Sequence, residues 1–107
     1  MVFDQVGTPT YARDLAGAIC TALRQGISPG IYHYSDEGVC SWYDFAVAIH
    51  RLAGITSCRV TPIRTADYPT PARRPAYSVL DKQKIKNTYG TTIPHWEESL
   101  ASCLNLL

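Results

Sequence analysis

The stretch "YPTPARRPAY", Tyr68 to Tyr77, sets the firmest limit on what this chain can fold into. Pro69, Pro71 and Pro75 each hold φ near about −65° and lack a backbone N–H. The residue before each proline is steered away from helical geometry as well. A segment so punctuated is neither a helix interior nor a central strand. It must cross the surface as a stiff loop, with compact elements on either side of it. Such a loop loses little conformational entropy on binding and presents its side chains in a nearly fixed geometry. It carries Arg73 and Arg74, and a guanidinium fork matches phosphate oxygens two at a time. On residue type alone, solvated arginines paired with carboxylates elsewhere are the plainer reading.

The flanking sequence predicts short elements. Leu15, Ala18, Ile19, Ala22 and Leu23 recur at helical spacing from Ala12, Asp14 suits the first turn, and Gly26 marks the stop. Ser41 with Asp44 predicts a capped helix start. Trp42, Phe45, Ala46, Ile49, Leu52 and Ala53 form its apolar stripe, and Gly54 ends it. Asp81 caps a short helix ending at Gly90, and Pro94 occupies the first position of a last helix carrying Glu97, Glu98, Leu100, Cys103, Leu104 and Leu107. Strands are expected around Val2–Asp4, Pro9–Tyr11, Ile31–Tyr34 and Cys58–Ile63. The result is one α/β domain over residues 1–107, with about four helices and short strands. The strand–helix–strand unit from Ile31 to Ile63 implies a parallel pair with a right-handed crossover.

Composition narrows the function. With 46% hydrophobic and 18% charged residues the chain is not disordered, and a formal charge of +1 argues against a general nucleic-acid binder. Charge is nonetheless local, since Arg59–Pro75 holds four arginines against the one acid Asp67. No apolar run reaches the ~18 residues of a membrane-spanning helix, and no signal-peptide pattern opens the chain. Cys20, Cys40, Cys58 and Cys103 are widely spaced. Cys20, Cys58 and Cys103 lie in apolar periodic segments, which points to buried reduced thiols and a cytoplasmic protein. His33, His50 and His95 add no finger-like ligand spacing, so no metal is expected.

Dinucleotide chemistry has its own signature, and it is missing. No glycines stand at GxGxxG, GxxGxxG or Walker spacing, and no tyrosine precedes a lysine by four residues. No Rossmann core, cofactor cradle or catalytic residue is expected in this chain, which alone should not be an enzyme.

The stretches "DQVGTPTYARDLA", "GIYHYSDEGVCSWYDFA" and "YPTPARRPAYSVLDKQKI", with "IPHWEESL" near the end, together resemble the dTDP-4-dehydrorhamnose reductases. These belong to the extended short-chain dehydrogenase/reductase superfamily. The resemblance implies a two-part enzyme. An N-terminal Rossmann domain would hold NADPH or NADH with a Thr/Tyr/Lys set, and a smaller C-terminal part would close over the dTDP-sugar. This chain resembles the C-terminal, substrate-binding part only, and Met1 directly before a mid-protein strand reads as the artificial start of an expressed fragment.

The implied reaction is reduction of the 4-keto group of dTDP-4-dehydro-L-rhamnose, with the fragment alone inactive. Room is left for a homodimer of the full protein. By resemblance, Arg74 and then Arg73 approach the nucleotide diphosphate, Gln5, Thr8 and Thr10 lie near the substrate end of the cleft, and Tyr77 stacks or hydrogen-bonds at the ligand. The alternative is that Gly7 and Pro9 shape a turn and Thr10 pairs with backbone. Trp42 and Tyr43 read as core or interdomain packing, Asp14 as a first-turn charge, and His33 and His95 as non-catalytic. Two other functions share the scaffold: a regulatory module like the β subunit of methionine adenosyltransferase, and a nucleotide-sugar epimerase or dehydratase.

Overall fold

Capping chemistry sets most helix ends in the computed structural model, which describes residues 1–107. Helix α1 spans Ala12–Gln25, α2 Trp42–Ala53, α3 Gln83–Tyr89 and α4 Trp96–Leu104. At α2 the expected box is closed. Ser41 Oγ accepts from the Asp44 N–H and Asp44 Oδ2 accepts from the Ser41 N–H, both at 3.0 Å. Gly54 ends the helix in the left-handed conformation, φ 69°, and Gly90 ends α3 likewise. Asp81 Oδ1 accepts from the Gln83 N–H at 2.9 Å, holding the start of α3.

Pro94 departs from expectation. It precedes α4 by two residues, and His95 caps the helix, its Nδ1 accepting from the Glu97 N–H at 3.2 Å. Tertiary pairing explains the shift. The Pro94 carbonyl accepts from the Glu37 N–H at 2.9 Å and the Trp96 N–H donates to the Glu37 carbonyl at 3.0 Å, which keeps His95 extended.

The expected parallel pair is absent. The one sheet is antiparallel, strand β1 (Val6–Gly7) beside β2 (Cys40–Ser41), with Val6 opposite Ser41 and Gly7 opposite Cys40. Ile31 lies 80% exposed with no partner strand, and Pro62 cannot donate to a ladder. Parallel pairing survives only as single bridges: Val2 with Ile63, Val6 with Tyr77, and Glu37 with His95.

Two small clusters form the core. Cys40, Ala48 and Trp96 pack with Phe45 and Leu100 between α2 and α4. Ile85, Tyr89 and Ile93 pack with Ala22, Tyr32 and Tyr34 between α3 and α1. All four thiols are free, but the cysteine expectation is otherwise inverted. Cys40 is buried, Cys20 and Cys58 are exposed, and Cys103 is half-buried. Cys20 follows the outward-facing Ile19 on α1, where helical spacing marks an apolar face that nothing in this chain covers. The slab measures 47 × 33 × 19 Å and exposes 7402 Å². A compact chain of 11.8 kDa should expose about 5,900 Å², so the excess is large.

Candidate functional site

The proline loop is fastened at both ends to the segment that begins the chain. At its far end, the Val6 N–H donates to the Ala76 carbonyl and the Ser78 N–H donates to the Val6 carbonyl, each at 2.9 Å. Gly7 lets the two segments approach closely there: a Cβ would stand 2.6 Å from Ser78 Oγ and the hydroxyl would have to turn away. At its near end the loop starts from a single 3₁₀ turn, Thr65–Asp67. The Thr65 hydroxyl donates to Asp4 Oδ1 at 2.6 Å and the Thr65 N–H donates to the same oxygen at 2.9 Å. These two donors hold the Asp4 carboxyl below its usual range.

Between the anchors opens a cavity of about 820 Å³, within the size range of small-ligand sites. One wall is the run Gln5–Pro9; a second is Cys40–Trp42 with Phe45; the third is the proline loop through Tyr68, Thr70, Arg74 and Pro75. Arg74 lines the cavity, and neither it nor Arg73 belongs to any of the ion pairs. Within the basic stretch from Arg59 to Pro75, Arg64 is the arginine in an ion pair, its Nε 3.6 Å from Asp67.

The six expected site residues divide. Arg74, Gln5 and Thr8 share the cavity. The Gln5 amide donates to Thr65 Oγ1 at 3.2 Å, and the Thr8 hydroxyl donates to the Gly38 carbonyl at 2.6 Å. Thr10 instead borders a neighbouring hollow of about 140 Å³ with Thr8, Tyr34 and Ser35. Its hydroxyl donates to the Thr8 carbonyl at 3.3 Å, the backbone pairing held open as the alternative. Arg73 and Tyr77 are exposed and do not line the cavity.

Trp42, read from sequence as core or interdomain packing, is 55% exposed on the cavity wall and so is not core, and Tyr68 on the loop, 60% exposed, lines the same cavity. One signal was available for Trp42. As the first residue of α2 it projects beyond the turn that its own stripe covers.

The chemistry of the walls is that of recognition. The Cys40 thiol is pushed up to about 11 by burial and then by Asp44 and Glu97, so it stays protonated at neutral pH and is no nucleophile. The residues do not fit a dinucleotide cofactor. The strand-to-helix junction from β2 into α2 has no glycine turn, and Ser41 and Asp44 fill it with a side-chain cap.

A cationic loop over an open groove with aromatic, amide and hydroxyl walls has the geometry of a ligand-binding lobe. The profile of the RmlD substrate binding domain matches residues 1–107, and the chain belongs to that family. The spore coat polysaccharide biosynthesis protein SpsK of Bacillus subtilis is 41% identical over 97% of this chain and 35% of its own length. A dTDP-4-dehydrorhamnose reductase of Burkholderia thailandensis is 37% identical over 97% of this chain and 40% of its own.

Among solved structures, a dTDP-4-dehydrorhamnose reductase from Clostridium acetobutylicum superposes with a TM-score of 0.90 at 42% identity, covering 99% of this chain and 38% of that one. The Bacillus anthracis enzyme, solved in complex with NADP, gives 0.86 at 34% identity, covering 98% of this chain and 36% of that one. The chain thus spans between 35% and 40% of the length of these relatives.

Proposed function

We propose that this chain is the substrate-binding lobe of a dTDP-4-dehydrorhamnose reductase, which reduces the 4-keto group of dTDP-4-dehydro-L-rhamnose. The observation that carries this reading is the guanidinium of Arg74, free of ion pairs and facing a cavity from a loop anchored at both ends. A nucleotide-sugar presents an aromatic base, a diphosphate and a polar sugar. The cavity offers Trp42 and Tyr68 for a π face, Arg74 for phosphate, and Gln5 and Thr8 for hydroxyls.

A nicotinamide cofactor, NADH or NADPH, supplies the hydride from a part of the protein outside this chain. The lobe binds, orients and shields: Arg74 fixes the diphosphate, and the closed groove excludes water and aligns the ketone. Alone, the lobe is inactive. The exposed stripe of α1 is the face we assign to the N-terminal domain of the longer protein, whose cytoplasmic setting suits four free thiols. No helix is long and apolar enough to cross a membrane.

A charge-assisted contact contributes roughly 1.5–3 kcal/mol. In the full-length protein, Arg74→Ala should therefore raise KM for the nucleotide-sugar by about ten- to a hundredfold, with cofactor affinity unchanged. Arg73→Ala should change KM far less. Equal kinetics for Arg74→Ala and the parent protein would remove the clamp.

A further inference from the structure

Asp4 and Thr65 do not line the cavity, and the function above gives them no task beyond anchoring the proline loop. They nonetheless settle how one cavity residue faces a ligand. Thr65 Oγ1 has two partners: it donates to Asp4 Oδ1 at 2.6 Å and accepts from Gln5 Nε2 at 3.2 Å. The direction of both bonds follows from the carboxylate. It has no proton to give, so the hydroxyl proton of Thr65 goes to Asp4. Only lone pairs are then left on Thr65 Oγ1, and only the NH2 end of the Gln5 amide can meet them. The Thr65 hydroxyl, and then its N–H, hold the Asp4 carboxyl below its usual range, so it stays an acceptor at neutral pH.

With its NH2 tied back, Gln5 has its carbonyl end left over. Gln5 lines the cavity, and its Oε1 has no donor within the chain and is not sealed from solvent. The hydroxyls along the same walls are polarised in the same sense. Thr8 donates to the Gly38 carbonyl at 2.6 Å, Thr70 to the Ala72 carbonyl at 2.7 Å, and Ser78 to the Val6 carbonyl at 3.2 Å. Each of these protons is spent inside the protein, so what the hydroxyls offer a ligand is an oxygen lone pair.

Arg74, by contrast, offers only donors. The cavity thus calls for acceptors at Arg74 and for donors at Gln5, Thr8 and Ser78, the pattern of a phosphate joined to a polyol. A free glutamine samples many rotamers and turns either end of its amide to a ligand. Fixing the amide before the ligand arrives removes that ordering from the cost of binding.

We infer that Asp4 and Thr65 are positioning residues for the sugar: Asp4 fixes the Thr65 proton, and Thr65 in turn holds the Gln5 carbonyl toward the cavity, where it accepts from a sugar hydroxyl. The ligand in this inference rests on the proposed function; the orientation of Gln5 does not.

The test uses the full-length protein, reading KM and kcat for the dTDP-sugar and the inhibition constant of dTDP, which has no sugar. Gln5→Met removes the amide at similar length. It should raise KM by about three- to tenfold, with kcat less affected and dTDP inhibition unchanged. Thr65→Val keeps the branched shape and the backbone N–H that anchors the loop to Asp4, and removes only the hydroxyl. It should raise KM by about two- to fivefold, and Thr65→Ser should keep KM near the parent's. Combined with Gln5→Met, Thr65→Val should add nothing. Asp4→Ala releases the loop as well, so it should weaken dTDP too, but its extra effect on the dTDP-sugar should vanish in the Gln5→Met background.

The orientation is read apart from turnover, in the Gln5 side-chain NH2 signals of the proton–nitrogen NMR spectrum, assigned by their loss in Gln5→Met. Thr65→Ser should leave them in place and Thr65→Val should shift them. A KM that Gln5→Met leaves alone, with turnover intact, overturns the sugar contact, as does a dTDP inhibition constant that rises as much as KM. Additive losses from Thr65→Val and Gln5→Met, or NH2 signals unmoved by Thr65→Val, overturn the positioning role of Thr65. An extra Asp4→Ala effect that persists without Gln5 overturns that of Asp4. No turnover of the dTDP-sugar by the unmutated protein would instead overturn the proposed function, and the NH2 signals would then judge the orientation by themselves.

Discussion

The side of the molecule built from α2 and α4 is closed, and the side that carries α1 is open. Trp96 is 5% exposed against Cys40 and Ala48, and side chains cap the N-termini of both helices. Helix α1 is longer, at 14 residues, yet it has no side-chain cap and only Ala18 buried. Leu15, Ile19 and Leu23, at successive i+4 positions, are 41%, 54% and 60% exposed. Both sides show the same amphipathic spacing, so periodicity alone does not tell a face that is covered within the chain from one that awaits a cover. The difference lies in local closure: α2 has a side-chain cap and packs on α4, whereas α1 has no side-chain cap and meets α3 through Ala22, leaving its Leu15, Ile19 and Leu23 stripe uncovered.

The largest effect should separate these faces. In the 107-residue chain, Trp96→Ala should cost about 3–5 kcal/mol, read as a fall in the denaturant midpoint. Ile19→Gln, which barely changes helix propensity, should stay within about 0.5 kcal/mol. In the longer protein proposed above, Ile19→Gln should become costly, at about 2 kcal/mol or more. If the isolated chain loses as much from Ile19→Gln as from Trp96→Ala, α1 is already packed and the contrast is wrong.

A middle-sized effect tests the caps. Ser41→Ala removes the oxygen that serves the Asp44 N–H and should cost about 1 kcal/mol, visible as a lowered Tm. Tyr11, at the matching position of α1, caps nothing with its side chain, so Tyr11→Phe should leave helix stability unchanged. Equal losses at both positions would show that the α2 cap has no special part in closing its side.

The parts of the fold legible in the sequence are those with local causes. Ser41, Asp44, Gly54 and Gly90 act within one turn, and each ends a helix where residue type and spacing place it. The three prolines likewise mark a loop by their own covalent geometry. What sequence reading missed is decided at long range. Val2 meets Ile63, and Glu37 meets His95, across separations that no local pattern encodes. The same holds at the site. Arg74 could be singled out by its loop, but Asp36 reads as an ordinary turn residue until the fold buries it against the Tyr11 N–H and the Thr10 hydroxyl. Trp42 was hidden by its membership in an apolar stripe.

The smallest expected effect asks what holds the closed side together. Arg51 Nη2 and Glu97 Oε2 stand 3.3 Å apart across α2 and α4, with side chains 59% and 47% exposed. In water, an exposed pair gains little after side-chain entropy and screening, so Arg51→Ala should shift stability by less than about 0.5 kcal/mol. The apolar stem of Arg51 lies outside the Cys40, Ala48 and Trp96 cluster, so its removal opens no cavity there. A double-mutant cycle with Glu97→Ala, repeated at low and high salt, measures the pair directly. A coupling near 1 kcal/mol or above, falling with salt, would assign part of the closure to charge. A coupling near zero leaves it to Trp96 and the caps.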